Sequence, residues 1–440
     1  MRLRHRLRSD APGLSGTDAN DRFMRSHCAL WASRVLHRYP RLDRETLEFV
    51  MWILDPATDS MRDILAKAIP QRAGIDVDEI LVECGSAPDE QALAIISTVG
   101  RLGSSVRSHV VRSIVNGLES IVRTGADSSP CPLAHSLEGV AATYGLTDDD
   151  LDVGFFLGSM SSWSVIERYF DSHLECDRPA GRKYLLAALG MSHAQMRGVL
   201  QGKLSRIGIL QVAQTWLSLD SEFAPLFSDP SEAAMLRGLH RAVPKPDLAI
   251  EHLGIEATDL DILKRLLTVE GDTSTHVLLY GPPGTGKTTL ARGLVHELGL
   301  EGLEVMGRDE GTPIRRRSAL EACLHMSENR PNRVVLIDEA DHLLNTESSW
   351  ISSGDTADKA WLNDVLERPG QRCLWIANNT SEIEKAVQRR FDYSLEVPAP
   401  DQQARRAMLE SVLRRKRIKR HFDQEHIREF ARDFPVNPAV

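Results

Sequence analysis

The stretch GPPGTGKTT sets Gly281, Pro282, Pro283, Gly284, Thr285, Gly286, Lys287, Thr288 and Thr289 between an apolar run and an amphipathic one. Its glycines let the backbone curl into a concave nest whose N–H groups face an anion, and a helix starting at the lysine adds its positive end. Lys287 can then reach the β- and γ-phosphates of a nucleotide, and the Thr288 hydroxyl can hold Mg²⁺. A purely structural turn has no use for the lysine. ATP with Mg²⁺ is the expected ligand of this loop.

Two further groups fit the same chemistry. In VVLIDEAD (334–341), a buried strand delivers Asp338 and Glu339 together at its carboxyl end. Asp338 is placed to bind the hydrated metal, and Glu339 to orient and deprotonate an attacking water. In LWIANNTSEIEKAVQRRFD (374–392), a strand ends at Asn378-Asn379, where a polar side chain could hold the water beside the γ-phosphate. Arg389 and Arg390 follow. An arginine there is too far from its own phosphate, but across a subunit interface it can act as a finger supplied in trans; the plain alternative is a pair of surface arginines.

These residues need a frame that brings them to one edge. Residues 277–280 read as a buried strand, and 288–298 as a helix with Leu290, Leu294 and Leu298 at helical spacing. A helix at 259–267 precedes them. Afterwards strands at 303–306, 334–337, 373–377 and 394–397 alternate with helices at 318–326, 359–366 and 383–388. Such alternation predicts an α/β fold with a parallel sheet covered on both faces, its ligand at the carboxyl ends of the strands.

At 440 residues the chain is long enough for two or three domains. Its formal net charge of −9 is spread over both halves, which argues against a general nucleic-acid binder. The six cysteines form no C-x-x-C pair, so a zinc site or a disulfide framework is not expected, and a reducing cytoplasm suits them. No apolar run approaches the length of a membrane span. The basic start MRLRHRLR leads into SDAPGLSGTDAND, a loose tail rather than a signal peptide.

The amino-terminal half is helical. Met24, Cys28, Trp31 and Val35 share one helix face. Two pieces echo each other, Tyr144-Gly145-Leu146-Thr147 and Leu189-Gly190-Met191-Ser192, each reading as a helix, a glycine stop and a hydroxyl cap for the next helix. A helix-turn-helix invites a DNA-binding reading, with KLSRIGILQV as a strand or wing. Asp148, Asp149 and Asp150 at the start of the first would-be recognition helix, and Arg197 alone on the second, oppose it. Packing or protein contact uses the same turn chemistry.

Taken in order, GPPGTGKTT, LIDEAD, the Asn-ended strand and RRFD resemble an AAA+ ATPase module over roughly residues 245–440. The resemblance implies an α/β P-loop fold with a helical lid, and a Mg-ATP-dependent ring, usually a hexamer, that moves or remodels a macromolecule. It also implies that the phosphate-binding loop is Gly281 to Thr288, the Mg²⁺-binding acid Asp338 and the base Glu339. The sensor asparagine falls on Asn378 if the family's spacing is kept, with Asn379 as fallback, and the arginine finger falls on Arg390.

Two departures modify that expectation. Many threading members carry an aromatic-hydrophobic pore loop where this chain has GRDEGTPIRRR (307–317), with no aromatic, so the sequence leaves open whether an unfolded polypeptide is threaded. The lid begins near Asp401 with a basic run, either a solvated helix face or a contact for an acidic partner or nucleic acid, and the chain stops at FPVNPAV, where the helix carrying a second sensor arginine should start. A fragmentary chain with weak ATPase activity and poor assembly is expected on that ground. The expected organisation is a disordered tail (1–20), a helical region of one or two subdomains (21–240), a linker (241–256), the nucleotide-binding domain (257–400) and a partial lid (401–440). The expected partner is a macromolecule, protein before DNA, with no membrane. The alternatives are a DNA-linked ATPase and a binding module that ATP locks without turnover, against which Glu339 argues.

Overall fold

The computed structural model describes residues 19–54, 60–71, 75–78, 88–125, 131–173, 179–212, 217–246, 248–269, 273–306, 313–328, 330–345, 355–381, 383–415 and 421–433. Nearly all of the expected tail (1–18), residues 307–312 of the segment without an aromatic, residues 416–420 of the basic run and the terminal 434–440 lie outside them. The chain divides into two compact units, Met1–Leu236 and Arg237–Val440.

The first unit is helical. Helix Ala19–Arg38 buries Met24, Cys28, Trp31 and Val35, the face expected from their spacing. Trp31 packs its ring 5.0 Å from Phe156 and 5.5 Å from Phe155, both on helix Asp148–Ser162. Both glycine stops are left-handed, Gly145 at φ 61° and Gly190 at φ 71°. Thr147 and Ser192 each close a capping box with the residue three positions on, Asp150 and Gln195. Val153, Phe155, Phe156 and Leu157 are buried, so the first would-be recognition helix is scaffold and cannot lie in a groove of DNA. KLSRIGILQV divides between a helix, Lys203–Ile207, and strand β1, Leu210–Val212, which pairs antiparallel with β2, Leu217–Leu219.

The second unit is a six-stranded sheet. In chain order its strands are β3 (His240–Ala242), β4 (Thr275–Tyr280), β5 (Glu301–Val305), β6 (Arg333–Ile337), β7 (Arg372–Ala377) and β8 (Tyr393–Glu396), and across the sheet they run β3-β5-β6-β7-β4-β8. All neighbours are parallel except β3 with β5. β6 and β7 are buried at every position, as strands covered on both faces must be. Val277, Leu279, Val334, Leu336, Leu374 and Ile376 form one core with Leu290 and Leu294 of helix Lys287–Glu297 and with Leu263 and Leu267 of helix Ala257–Thr268. Each such fully buried leucine contributes about 2 kcal/mol.

β3 departs from the sequence-based expectation, which ends the helical region at 240 and starts a linker at 241. Three mostly polar residues before two prolines carry no readable period, yet they form an edge strand. Arg241 explains why, since it donates to the buried Glu304 of β5 at 2.6 Å. Within the stretch expected as linker, the 3₁₀ turn Ile250–His252 likewise sends Ile250 into the core. Helices Gln402–Arg415 and Gln424–Asp433 stand where the lid is expected, tied by Arg405 Nε donating to the Ala431 carbonyl at 3.0 Å.

Candidate functional site

Strand register assembles the site. Tyr280 of β4 lies opposite Ala377 of β7, and Trp375 of β7 opposite Ile337 of β6. The next residues along these strands, Gly281, Asn378 and Asp338, therefore leave the sheet at one edge.

The loop from Gly281 to Gly286 needs its glycines. Gly281 has φ 140°, and a Cβ there would sit 2.5 Å from the Val397 carbonyl oxygen; Gly286 has φ 95°, and a Cβ there would meet Leu253 at 2.8 Å. Lys287 opens the following helix and is only 6% exposed. Its Nζ donates to the carbonyls of Gly281 (2.7 Å) and Pro282 (2.8 Å) and to Asn378 Oδ1 (3.1 Å). Burial pulls this ammonium below the usual lysine value, against the opposing pull of Asp341, Asp338 and Glu339. Thr285 Oγ1 is buried inside the loop with no hydrogen-bond partner among the described residues.

Beside the lysine, Thr288 Oγ1 donates to Asp338 Oδ2 at 3.0 Å. A hydroxyl and a carboxylate held together are the hard oxygen donors that Mg²⁺ takes. Glu339, next in line, has φ 49°, a left-handed conformation that costs a side-chain-bearing residue about 1–2 kcal/mol. Its N–H donates to Asp338 Oδ1 at 2.9 Å, which helps hold that turn. The strain lies on the residue expected to accept the proton of the attacking water.

Of the two asparagines, Asn378 reaches Lys287, whereas Asn379 accepts from the Ser381 N–H at 2.9 Å and shapes a turn. Arg390 is turned to its own chain. Its Nε donates to Glu367 Oε1 at 2.9 Å and its Nη1 to the Ala386 carbonyl at 2.7 Å. Neither contact is with the phosphate loop. Pro282, Pro283 and Thr289 belong to the same loop and first helical turn, the two prolines exposed and Thr289 half-buried.

Three contributions escape a sequence reading. Asp341, the last acid of LIDEAD, accepts the Asn378 N–H at 2.8 Å and the Asn378 Nδ2 at 3.4 Å, so it positions the asparagine. Its place in the motif was the available signal. Arg316 lies on helix Pro313–Ser327, which starts five residues earlier than the periodicity of 318–326 suggests, and donates to the Asp338 carbonyl. Glu304 accepts from Arg241 and from Arg292 (2.8 Å) on the phosphate-loop helix, tying β3, β5 and that helix together. Burial alone would raise the Glu304 pKa, but its two arginines outweigh burial and hold it below the usual carboxylate value.

Residues 277–399 match the family described as ATPase family associated with various cellular activities (AAA). A proteasome-activating nucleotidase of Methanoculleus marisnigri is 32% identical over 149 residues, 30% of this chain and 35% of its own length. A cell division cycle protein 48 homolog of Archaeoglobus fulgidus is 31% identical over 170 residues, 36% of this chain and 23% of its own. An ATPase family AAA domain-containing protein 3 of Caenorhabditis elegans is 37% identical over 144 residues, 30% of this chain and 23% of its own. These matches thus span about a third or less of the relatives' own length.

Proposed function

The chain carries an AAA ATPase domain at residues 277–399, and from that premise we infer that it binds Mg-ATP in the loop from Gly281 to Thr289, hydrolyses it and uses the turnover to act on a protein partner. The observation that carries this reading is the contact of Thr288 with Asp338 beside a buried Lys287 that already bridges the loop and Asn378. Mg²⁺ bound by Thr288 and Asp338 would offset charge on the phosphates. Lys287 exchanges its two loop carbonyls for phosphate oxygens. Asn378, held by Asp341, orients a water in line with the γ-phosphorus. Glu339 takes that water's proton as the new O–P bond forms and the bond to the β-phosphate oxygen breaks, leaving ADP and phosphate.

Arg390 is read as the finger for a neighbouring subunit in a homo-oligomeric ring, expected to be a hexamer. Its pairing with Glu367 is then the resting arrangement of the isolated chain. A protein partner is favoured over DNA because the first of the two helices offered for groove entry is buried scaffold and opens with acids, and the second carries Arg197 alone. The names of two relatives, for proteasome activation and for cell division, are compatible with action on proteins. No helix among the described residues is long and apolar enough to cross a membrane. Cys28, Cys131, Cys323 and Cys373 are free thiols, in keeping with a reducing cytoplasm.

Equilibrium binding of labelled ATP to the full chain and to its Lys287→Ala variant tests this reading. The variant is expected to lose at least about tenfold in affinity, since a point charge against the phosphates disappears. Equal affinity in both proteins would remove the site from this loop.

A further inference from the structure

The first unit holds a cavity of about 840 Å³ between the end of helix Ala19–Arg38, helix Pro179–Leu189 and the start of helix His193–Leu200. Its wall carries Arg34, His37, Arg38, Lys183 and His193, with Tyr39 between them, and among the described residues it contains no aspartate or glutamate. In a chain of net charge −9, the three permanent cations Arg34, Arg38 and Lys183 around one hollow run against the overall balance, while His37 Nε2 faces Glu119 Oε1 at 3.5 Å.

The cations differ in how firmly they are held. Arg34 is fixed, with Nη1 donating to the Leu189 carbonyl at 2.8 Å and the Ala188 carbonyl at 3.3 Å, the carbonyl end of a helix. Gly190 makes room for it, since a Cβ there would come within 2.8 Å of the guanidinium carbon. Arg38 and Lys183 are exposed and have no ion-pair partner among the described residues. Tyr39 is braced by Tyr184 at a ring distance of 4.2 Å. On the far side of the turn, Ser192 caps helix His193–Leu200, whose positive end adds to the field.

We propose that this cavity is a docking site for an acidic peptide segment, one carrying at least two carboxylates, presented by the protein partner on which the ATPase acts. The proposal rests on the reading of the partner as a protein. The volume lies in the range of pockets that enclose a small ligand or a few side chains, and the guanidinium and ammonium groups match carboxylates. A nucleic-acid duplex fits less well. The site is concave, and Asp149, which accepts from Gln195 Nε2 at 3.1 Å, stands beside the helix that would have to meet phosphates.

The test is fluorescence anisotropy with the full chain and four probes: a labelled twelve-residue peptide rich in Asp and Glu, its Asn/Gln counterpart, a labelled DNA duplex and inorganic tripolyphosphate as competitor. The acidic peptide should bind at least about tenfold more tightly than its neutral counterpart and weaken as salt rises. The double variant Arg38→Glu/Lys183→Glu, altered only at exposed positions, should lose about tenfold or more of that binding while its ATPase rate stays at the wild-type value. Equal binding of the acidic and neutral peptides, undiminished binding by the double variant, tighter binding of the duplex, or full displacement by tripolyphosphate at concentrations below those of the peptide would each overturn the proposal. ATPase activity separates the two readings. Turnover without peptide binding removes the docking site alone, and peptide binding without turnover removes the ATPase reading alone.

Discussion

Replacing Asp341 with alanine should cripple turnover while leaving nucleotide binding in place. Its Oδ1 accepts the Asn378 N–H at 2.8 Å, and two weaker contacts at 3.4 Å reach Asn378 Nδ2 and the Asn379 N–H. A hydrogen bond to a charged acceptor is worth about 1.5–3 kcal/mol, and the longer contacts add little. Asn378 is exposed, so water can take over its freed N–H, and the cost to folding should be only about 1 kcal/mol, or roughly 2–4 °C in Tm. The cost to catalysis should be larger. Without its brace Asn378 no longer fixes the water, and a misplacement of about 1 Å is worth on the order of 10²-fold, so kcat should fall about 10- to 100-fold. ATP affinity should change by less than about threefold, because Lys287 and the loop keep their contacts. Asp341→Asn keeps an acceptor oxygen and should recover most of the loss. Steady-state ATPase assays, ATP binding and thermal melts on the three proteins provide the readout. An alanine variant that turns over within about twofold of the wild type would refute the positioning role.

Three other outcomes follow from the structure. His276 is 1% exposed, accepts from Trp375 Nε1 at 3.2 Å, and burial pulls its pKa down to about 4. It is neutral when folded and takes up a proton on unfolding below pH 6.5. Stability from this residue is therefore full above that pH and is lost as pH falls towards 4, by up to ~3 kcal/mol; denaturant melts of wild type and His276→Gln across this window should show a steeper slope in the wild type, the variant keeping the smaller slope that burial of His27 and His240 imposes. For Arg390, alanine should abolish hydrolysis with little change in ATP affinity, and mixing proven co-assemblies of Arg390→Ala with Lys287→Ala subunits should recover activity. No recovery would count against action in trans. Glu367→Gln, which loosens the Arg390 pair, should raise the rate of the assembled protein, and a lowered rate would show that Glu367 supports the finger instead of restraining it.

The α/β frame was legible because strands buried on both faces read as unbroken apolar runs, and VLLY, VVLI and CLWIA do so. The turn of the loop was legible because Gly281, Gly284 and Gly286 take the positive φ that glycine alone adopts readily. What escaped was set by side chains reaching across sequence. β3 holds its place through Arg241 and Glu304, sixty-three positions apart, and no local pattern reports that pairing. Asp341 was visible as a residue, but its duty to Asn378 depends on the register of β6 against β7. Arg316 sat in a segment judged by its lack of an aromatic, and its bond to the Asp338 carbonyl appears only once helix Pro313–Ser327 is built. The paired helix-turn-helix pieces were read correctly as capped turns. Their depth of burial, which decides against groove binding for the first, is a tertiary property.

The most direct test of the account is single-turnover hydrolysis by the Glu339→Gln variant, with ATP binding measured on the same preparation. The amide keeps the shape of the strained turn at φ 49° but cannot accept a proton. Binding of Mg-ATP should stay within about threefold of the wild type, and the hydrolysis rate should fall by about 10²- to 10⁴-fold. Hydrolysis at the wild-type rate by this variant would contradict the assignment of Glu339 as the base, and with it the account of how this site works.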